Sequence, residues 1–152
     1  MNIRSSLLLV AVLAATALTA NAQYGPPPGG PGGHAGPDSP LEIQMKILAR
    51  GKRQLTGQIA DPTKQQDTVT LIETLKKASV DSKALDPRKT STVPAADQEK
   101  FLAAYRAQMD KLTDAFNQIE EAVKTGQYDK AKSLLGNLQS IAKEGHRDFK
   151  QD

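Results

Sequence analysis

Cysteine is absent from the 152 residues, which removes disulfides, thiolate zinc sites, a catalytic thiol, iron–sulfur clusters and any haem attached through a Cys-x-x-Cys-His motif. Aromatic residues are scarce at 4%, and the hydrophobic fraction of 38% supplies the core of one ordinary domain rather than two. Neither sign of charge dominates. Lys and Arg total 20 against 17 Asp and Glu, a formal +3 with the charges interspersed along the chain, and an excess this mild makes no case for a nucleic-acid partner. Histidine is nearly missing too, with only His34 and His146. A bridged di-iron site, which needs Glu-x-x-His twice, fails on that shortage. A Ser-His-Asp relay would have to use His146 beside Ser140, Glu144 or Asp148, and nothing supplies an oxyanion hole.

What is present begins with a short basic segment holding Arg4, a nearly unbroken apolar run from Leu7 to Ala20, and Ala20-Asn21-Ala22, with small residues at both recognition positions of a signal-peptide cleavage site. This pattern predicts an export signal at residues 1–22, cut after Ala22. As a membrane-spanning helix the run would cover roughly 21 Å, short of the roughly 30 Å of hydrocarbon it would have to cross. The mature chain is therefore expected to be exported and soluble, away from chromosomal DNA. Residues Gln23 to Pro40 then hold six of the nine prolines and six of the eleven glycines. A segment of that composition cannot offset its ordering entropy by burial, so residues 23–40 are expected to form a disordered Pro/Gly-rich leader. Its glycines do not make a phosphate loop, because no strand precedes them and the prolines lack amide donors. His34, alone within it, is expected as a solvated side chain.

From Leu41 to Asp152 the apolar periodicity is helical, and no stretch alternates as a strand does. The first segment follows Ser39, a cap candidate, and Pro40, suited to a first turn. It carries Leu41, Met45, Leu48, Leu55 and Ile59, and Asp61-Pro62 ends it. The second is expected from about Thr63 to Leu85, with Thr68, Ile72, Leu75, Ser79 and Ser82 on one face, before Asp86-Pro87 and a loop through Pro94. The third keeps the strongest rhythm, through Leu102, Tyr105, Met109, Leu112, Phe116, Ile119 and Val123, with Gly126 as its cap. The fourth begins near Tyr128 and aligns Ala131, Leu135, Leu138, Ala142, Gly145 and Phe149. Four amphipathic helices with short connections predict an all-α fold, an antiparallel up-down-up-down four-helix bundle over residues 41–152. No self-similar period supports a repeat solenoid.

That topology sets the start of the first helix and the end of the fourth at one end of the bundle. Met45 and His146 then each lie about 6 Å from their helix terminus, at one level. Both sit on or beside the apolar stripes. A thioether and an imidazole facing one another across a bundle can fill both axial positions of a haem iron, a pairing that raises the reduction potential. Spacing alone leaves open the plainer alternative, Met45 as core filler and His146 as a half-exposed terminal side chain.

Leu41-Glu42-Ile43-Gln44-Met45 and the run from Leu138 to Lys150, together with Gly126 and Asp86-Pro87-Arg88-Lys89, carry a resemblance to the soluble periplasmic cytochrome b562 family. It covers nearly all of Leu41 to Asp152. The resemblance implies non-covalent haem b with Met45 and His146 as axial ligands. Tyr105 and Met109 match positions where the family sets aromatic residues against the porphyrin, Leu48 and Pro87 match further pocket positions, and Lys150 stands near the propionates. Four residues depart from the family pattern. Lys52 replaces an apolar residue, Met109 is not aromatic, Ala142 lacks a guanidinium and Gly145 lacks a ring.

The expectation drawn from this is an exported b-type cytochrome that carries one electron at a time and is not an enzyme. Its partners would be haem and redox proteins that the sequence does not name, with no nucleic acid, no membrane insertion of the mature chain and a monomeric state. The alternative is a haem-free bundle acting at the cell envelope as a protein-binding or stress-buffering module. In that case the basic faces at Arg50, Lys52, Arg53, Lys76 and Lys77 would be its contact surface rather than solvated faces.

Overall fold

The computed structural model describes residues 37–151, so the expected signal at 1–22 and almost all of the expected leader at 23–40 lie outside the described residues. Helix α1 is Pro40–Gln58, and its start is closed by a reciprocal pair of bonds. The Glu42 amide donates to Ser39 Oγ at 3.3 Å, and the Ser39 amide donates to Glu42 Oε2 at 2.6 Å, which satisfies two of the free donors of a helix N-terminus. Pro40 takes the first turn, where a missing N–H costs nothing. Leu48, Leu55 and Ile59 of the predicted stripe are buried, and Leu41 and Met45 are half-buried against the same core.

Helix α2, Gln65–Lys83, is shorter at both ends than the spacing of apolar residues predicted. At its start the Asp61 carboxylate accepts from the Thr63 amide at 3.0 Å and from its hydroxyl at 2.6 Å. That ties Pro62–Lys64 into a separate 3-10 turn. At its end the Ala84 and Leu85 amides bond three residues back, to Asp81 and Ser82, and this tightened turn leads into Pro87. The connection from there holds two further 3-10 turns, Arg88–Thr92 and Ala95–Asp97.

Helix α3, Gln98–Lys124, is the longest at 27 residues. It ends in a Schellman motif, with the Gln127 amide on the Ala122 carbonyl at 2.8 Å and the Gly126 amide on Val123 at 3.1 Å. Gly126 is left-handed at φ 70°, where a side chain would be strained. Helix α4, Tyr128–Phe149, returns along α3.

The result is the expected all-α, up-down-up-down bundle, with Leu55, Ile72, Leu75, Phe116, Ile119, Val123 and Leu138 almost wholly buried. Polar contacts reinforce the seams between successive helices. Gly51 lets α1 approach Leu75 of α2 so closely that a Cβ there would overlap it. Between α2 and α3, Ser79 and Thr113 share a hydrogen bond at 2.7 Å, and Lys83 reaches Asp110. Glu120 of α3 takes both Lys76 at 2.6 Å and Lys124 at 2.5 Å. Burial pushes the Glu120 carboxyl up, but the hydrogen bonds from Lys124 and Lys76 outweigh it and hold the group below the usual carboxylate range. Its contribution to stability is therefore present near neutrality and is lost as pH falls through that lowered value. Between α3 and α4, Gln108 Nε2 donates to the Ile141 carbonyl at 2.8 Å. Close backbone approach is extensive along α1–α2, α2–α3 and α3–α4, and sparse between α1 and α4. No described helix is long and apolar enough to cross a membrane.

Candidate functional site

The α2–α3 connection gathers the start of α1 and the end of α4. Arg88 donates to Glu42 Oε2 at 2.9 Å, in the first turn of α1. The adjacent Lys89 donates to the Asp148 carbonyl at 2.9 Å, in the last turn of α4. Met45 and His146 thus belong to one end of the bundle, each on a helix tied to the same short loop, and they border the sparsely packed α1–α4 seam.

Met45 is half-buried and packs on the core, while His146 is exposed at its surface. Desolvation of the imidazole, with the charges of Lys150 and Lys52, pushes its pKa below the usual histidine value. The neutral ring, the form in which a histidine nitrogen can bind a metal, is therefore favoured. Gly145 beside it faces α3, where a Cβ would come into ordinary contact with Gln108 Cγ at 3.6 Å.

The floor of this end is aromatic. Phe149 packs edge-on against Phe101 with ring centres 5.3 Å apart, and against Tyr105 at 5.5 Å. Tyr105 is buried, its hydroxyl donates to the Ser82 carbonyl at 2.8 Å, and burial with the nearby Asp86 charge pushes its pKa up to about 12. Leu48, Met109 and Pro87 are buried as well. Lys150 is exposed, and its amide closes α4 on the His146 carbonyl. Of the expected site residues, Leu48, Pro87, Tyr105 and Met109 are thus buried, Met45 is half-buried, and His146 and Lys150 are exposed.

The sequence reading missed the Gln108–Ile141 bond, which pins α4 one turn before Gly145. The available signal was a glutamine directly preceding Met109 in the apolar rhythm of α3. Among the described residues no cluster of three or more His, Cys, Asp or Glu side chains could hold a metal. A separate groove of about 270 Å³ between α3 and α4, lined among others by Lys111, Asp114, Leu134, Asn137 and Ile141, is below the usual size of a small-molecule site. By helical spacing it opens on the other side of α4 from His146.

Comparison with known proteins gives one family. The model of the family described as Cytochrome b562 matches residues 40–150, which spans all four helices. No curated protein and no solved structure matches the chain. The family consists of electron-carrier haemoproteins, in general soluble and periplasmic, whose cofactor is non-covalent haem b.

Proposed function

The chain belongs to the cytochrome b562 family, and from that premise we propose that it is an exported one-electron carrier whose haem b is held between Met45 and His146 in the α1–α4 seam. The observation that supports this most is the coincidence of a thioether and a neutral imidazole at one bundle end, on the two helices whose mutual packing is sparse. When bound, haem supplies a ferric/ferrous couple. The chain's own residues hold it and tune it. His146 offers the stronger donor, and Met45 a soft one that favours the ferrous state. Leu48, Pro87, Tyr105 and Met109, with Phe101 and Phe149, would exclude water from the bound haem and keep its surroundings at low dielectric, while Lys150 would suit a propionate. With Met45 and His146 both holding the iron, the chain would leave no place for a substrate to bind it, which fits a carrier rather than an enzyme. In this reading the signal at 1–22 delivers the chain to the periplasm.

The test is titration of the purified chain with haem, followed by its visible spectrum. The wild type is expected to give the split bands of a six-coordinate, low-spin ferrous haem. His146→Ala abolishes tight binding. Met45→Ala weakens it less and lowers the potential. Unchanged, equal affinity in both variants would overturn the axial assignment, and a chain that takes up no haem would return the haem-free envelope module.

A further inference from the structure

On the α4 side of α1 stands a charge that the fold itself does not use. Lys52 lies seven residues after Met45, two turns along the same face, in a stripe whose other members are Leu41, Met45, Leu48, Leu55 and Ile59. Its neighbours Leu48 and Leu55 are buried, and Lys52 itself is half-buried. No carboxylate among the described residues pairs with it, whereas Lys76 and Lys83, also half-buried, meet Glu120 and Asp110. Gly51 faces Leu75 of α2 while Leu48 and Leu55 face the core, so Lys52, the next position round the helix from Gly51, lies on the α4 side of α1. An unpaired ammonium on a core stripe is unfavourable in an empty bundle, and it is compensated where the seam encloses a group whose charge becomes less positive.

We propose that Lys52 is a potential-setting residue: a fixed positive charge in the seam wall that biases the bound redox group toward its reduced state. The inference rests on the haem reading above. Reduction adds one electron, drawn from a donor redox protein, to the site between Met45 and His146, and the charge of that site falls by one. Lys52 repels the oxidised site more than the reduced one. Seven residues along α1 place it roughly 10 Å from Met45. At that range and an effective dielectric near 20, one charge shifts a one-electron equilibrium on the order of tenfold. Its partial exposure screens this toward about threefold.

The full chain is reconstituted with haem b as wild type and as Lys52→Arg, Lys52→Gln and Lys52→Glu, and each is titrated spectroelectrochemically. Arg keeps the wild-type midpoint. Gln shifts the equilibrium about three- to tenfold toward ferric, which at 59 mV per decade is a midpoint roughly 30 to 60 mV lower. Glu moves it about twice as far in millivolts. Helix content and the Soret band of each variant are compared with wild type, and if Glu does not fold, the Arg and Gln pair decides. Equal midpoints in every variant overturn the inference. So does a fall shared by Arg and Gln, which would mark packing rather than charge. Haem uptake with charge-independent midpoints overturns this inference alone, whereas a wild type that takes up no haem overturns it together with the haem reading.

Discussion

Thr68 is 1% exposed, and its Oγ1 has no hydrogen-bond partner. Its neighbours on the α2 stripe differ. The Ser79 hydroxyl meets Thr113, and that of Ser82 turns back to the Ala78 carbonyl at 2.7 Å. A buried hydroxyl without a partner costs its desolvation and gains nothing in return. Thr68→Val, which keeps the branched shape, is expected to stabilise the bundle by about 1 kcal/mol. Urea unfolding checks it through a higher midpoint at unchanged slope; a lower midpoint would show that the hydroxyl has a partner in solution. At this scale the sequence was legible where residue type is rare. Met45 and His146 stood out as candidates because thioether and imidazole are few. Pairings of common residues were not legible. Glu42 closes a local box with Ser39, but its pairing with Arg88 could not be read, because it depends on a loop 46 positions away.

Among whole elements, α1 and α2 meet through Gly51, and that contact decides how close the two helices lie. Alanine is favoured over glycine in a helix by about 1 kcal/mol. At position 51 the added methyl would overlap Leu75, which is fully buried and has little room to move. Overpacking of this kind costs about 1–3 kcal/mol, so Gly51→Ala is expected to destabilise the bundle by about 1 kcal/mol net. Gly57→Ala and Gly136→Ala, where a Cβ meets nothing within 4 Å, should instead stabilise it. Thermal unfolding followed by circular dichroism compares the three, and a Gly51→Ala chain that melts with or above the other two would show that the helices part without cost. All four helices were legible from period and punctuation, because Ser39, Asp61-Pro62, Asp86-Pro87 and Gly126 act locally. The ends of α2 were not. Thr63 and Lys64 fit the helical rhythm, yet the Asp61 side chain draws Thr63 into its own tighter turn. The intimacy of Gly51 with Leu75 was equally hidden, since glycine within a helix reads as a weak point until its neighbour is known.

For the molecule as a whole, the proposed cofactor end should be its least protected part when empty. On the haem reading, the side chains at that end would surround a planar group and would leave poorly filled space without it. Amides from Gly145 to Phe149 are expected to exchange fast in apo protein and to gain protection with haem, while those between Leu112 and Val123 are protected in both. A thousandfold excess of haem over its dissociation constant would add about 4 kcal/mol of stability. Hydrogen exchange read by mass spectrometry or NMR decides it, and uniformly slow exchange unaffected by haem would speak for a bundle with no cofactor. The sparse α1–α4 seam has a consequence in time as well. Each well-packed seam joins helices adjacent in sequence, so most native contacts form by closing a short loop, at little entropic cost. Folding can then proceed pair by pair along the chain, at the fast rates of low-contact-order bundles, and the junction of first helix with last comes at the end. Chain order thereby sets aside for a guest the one interface that self-assembly can leave until last.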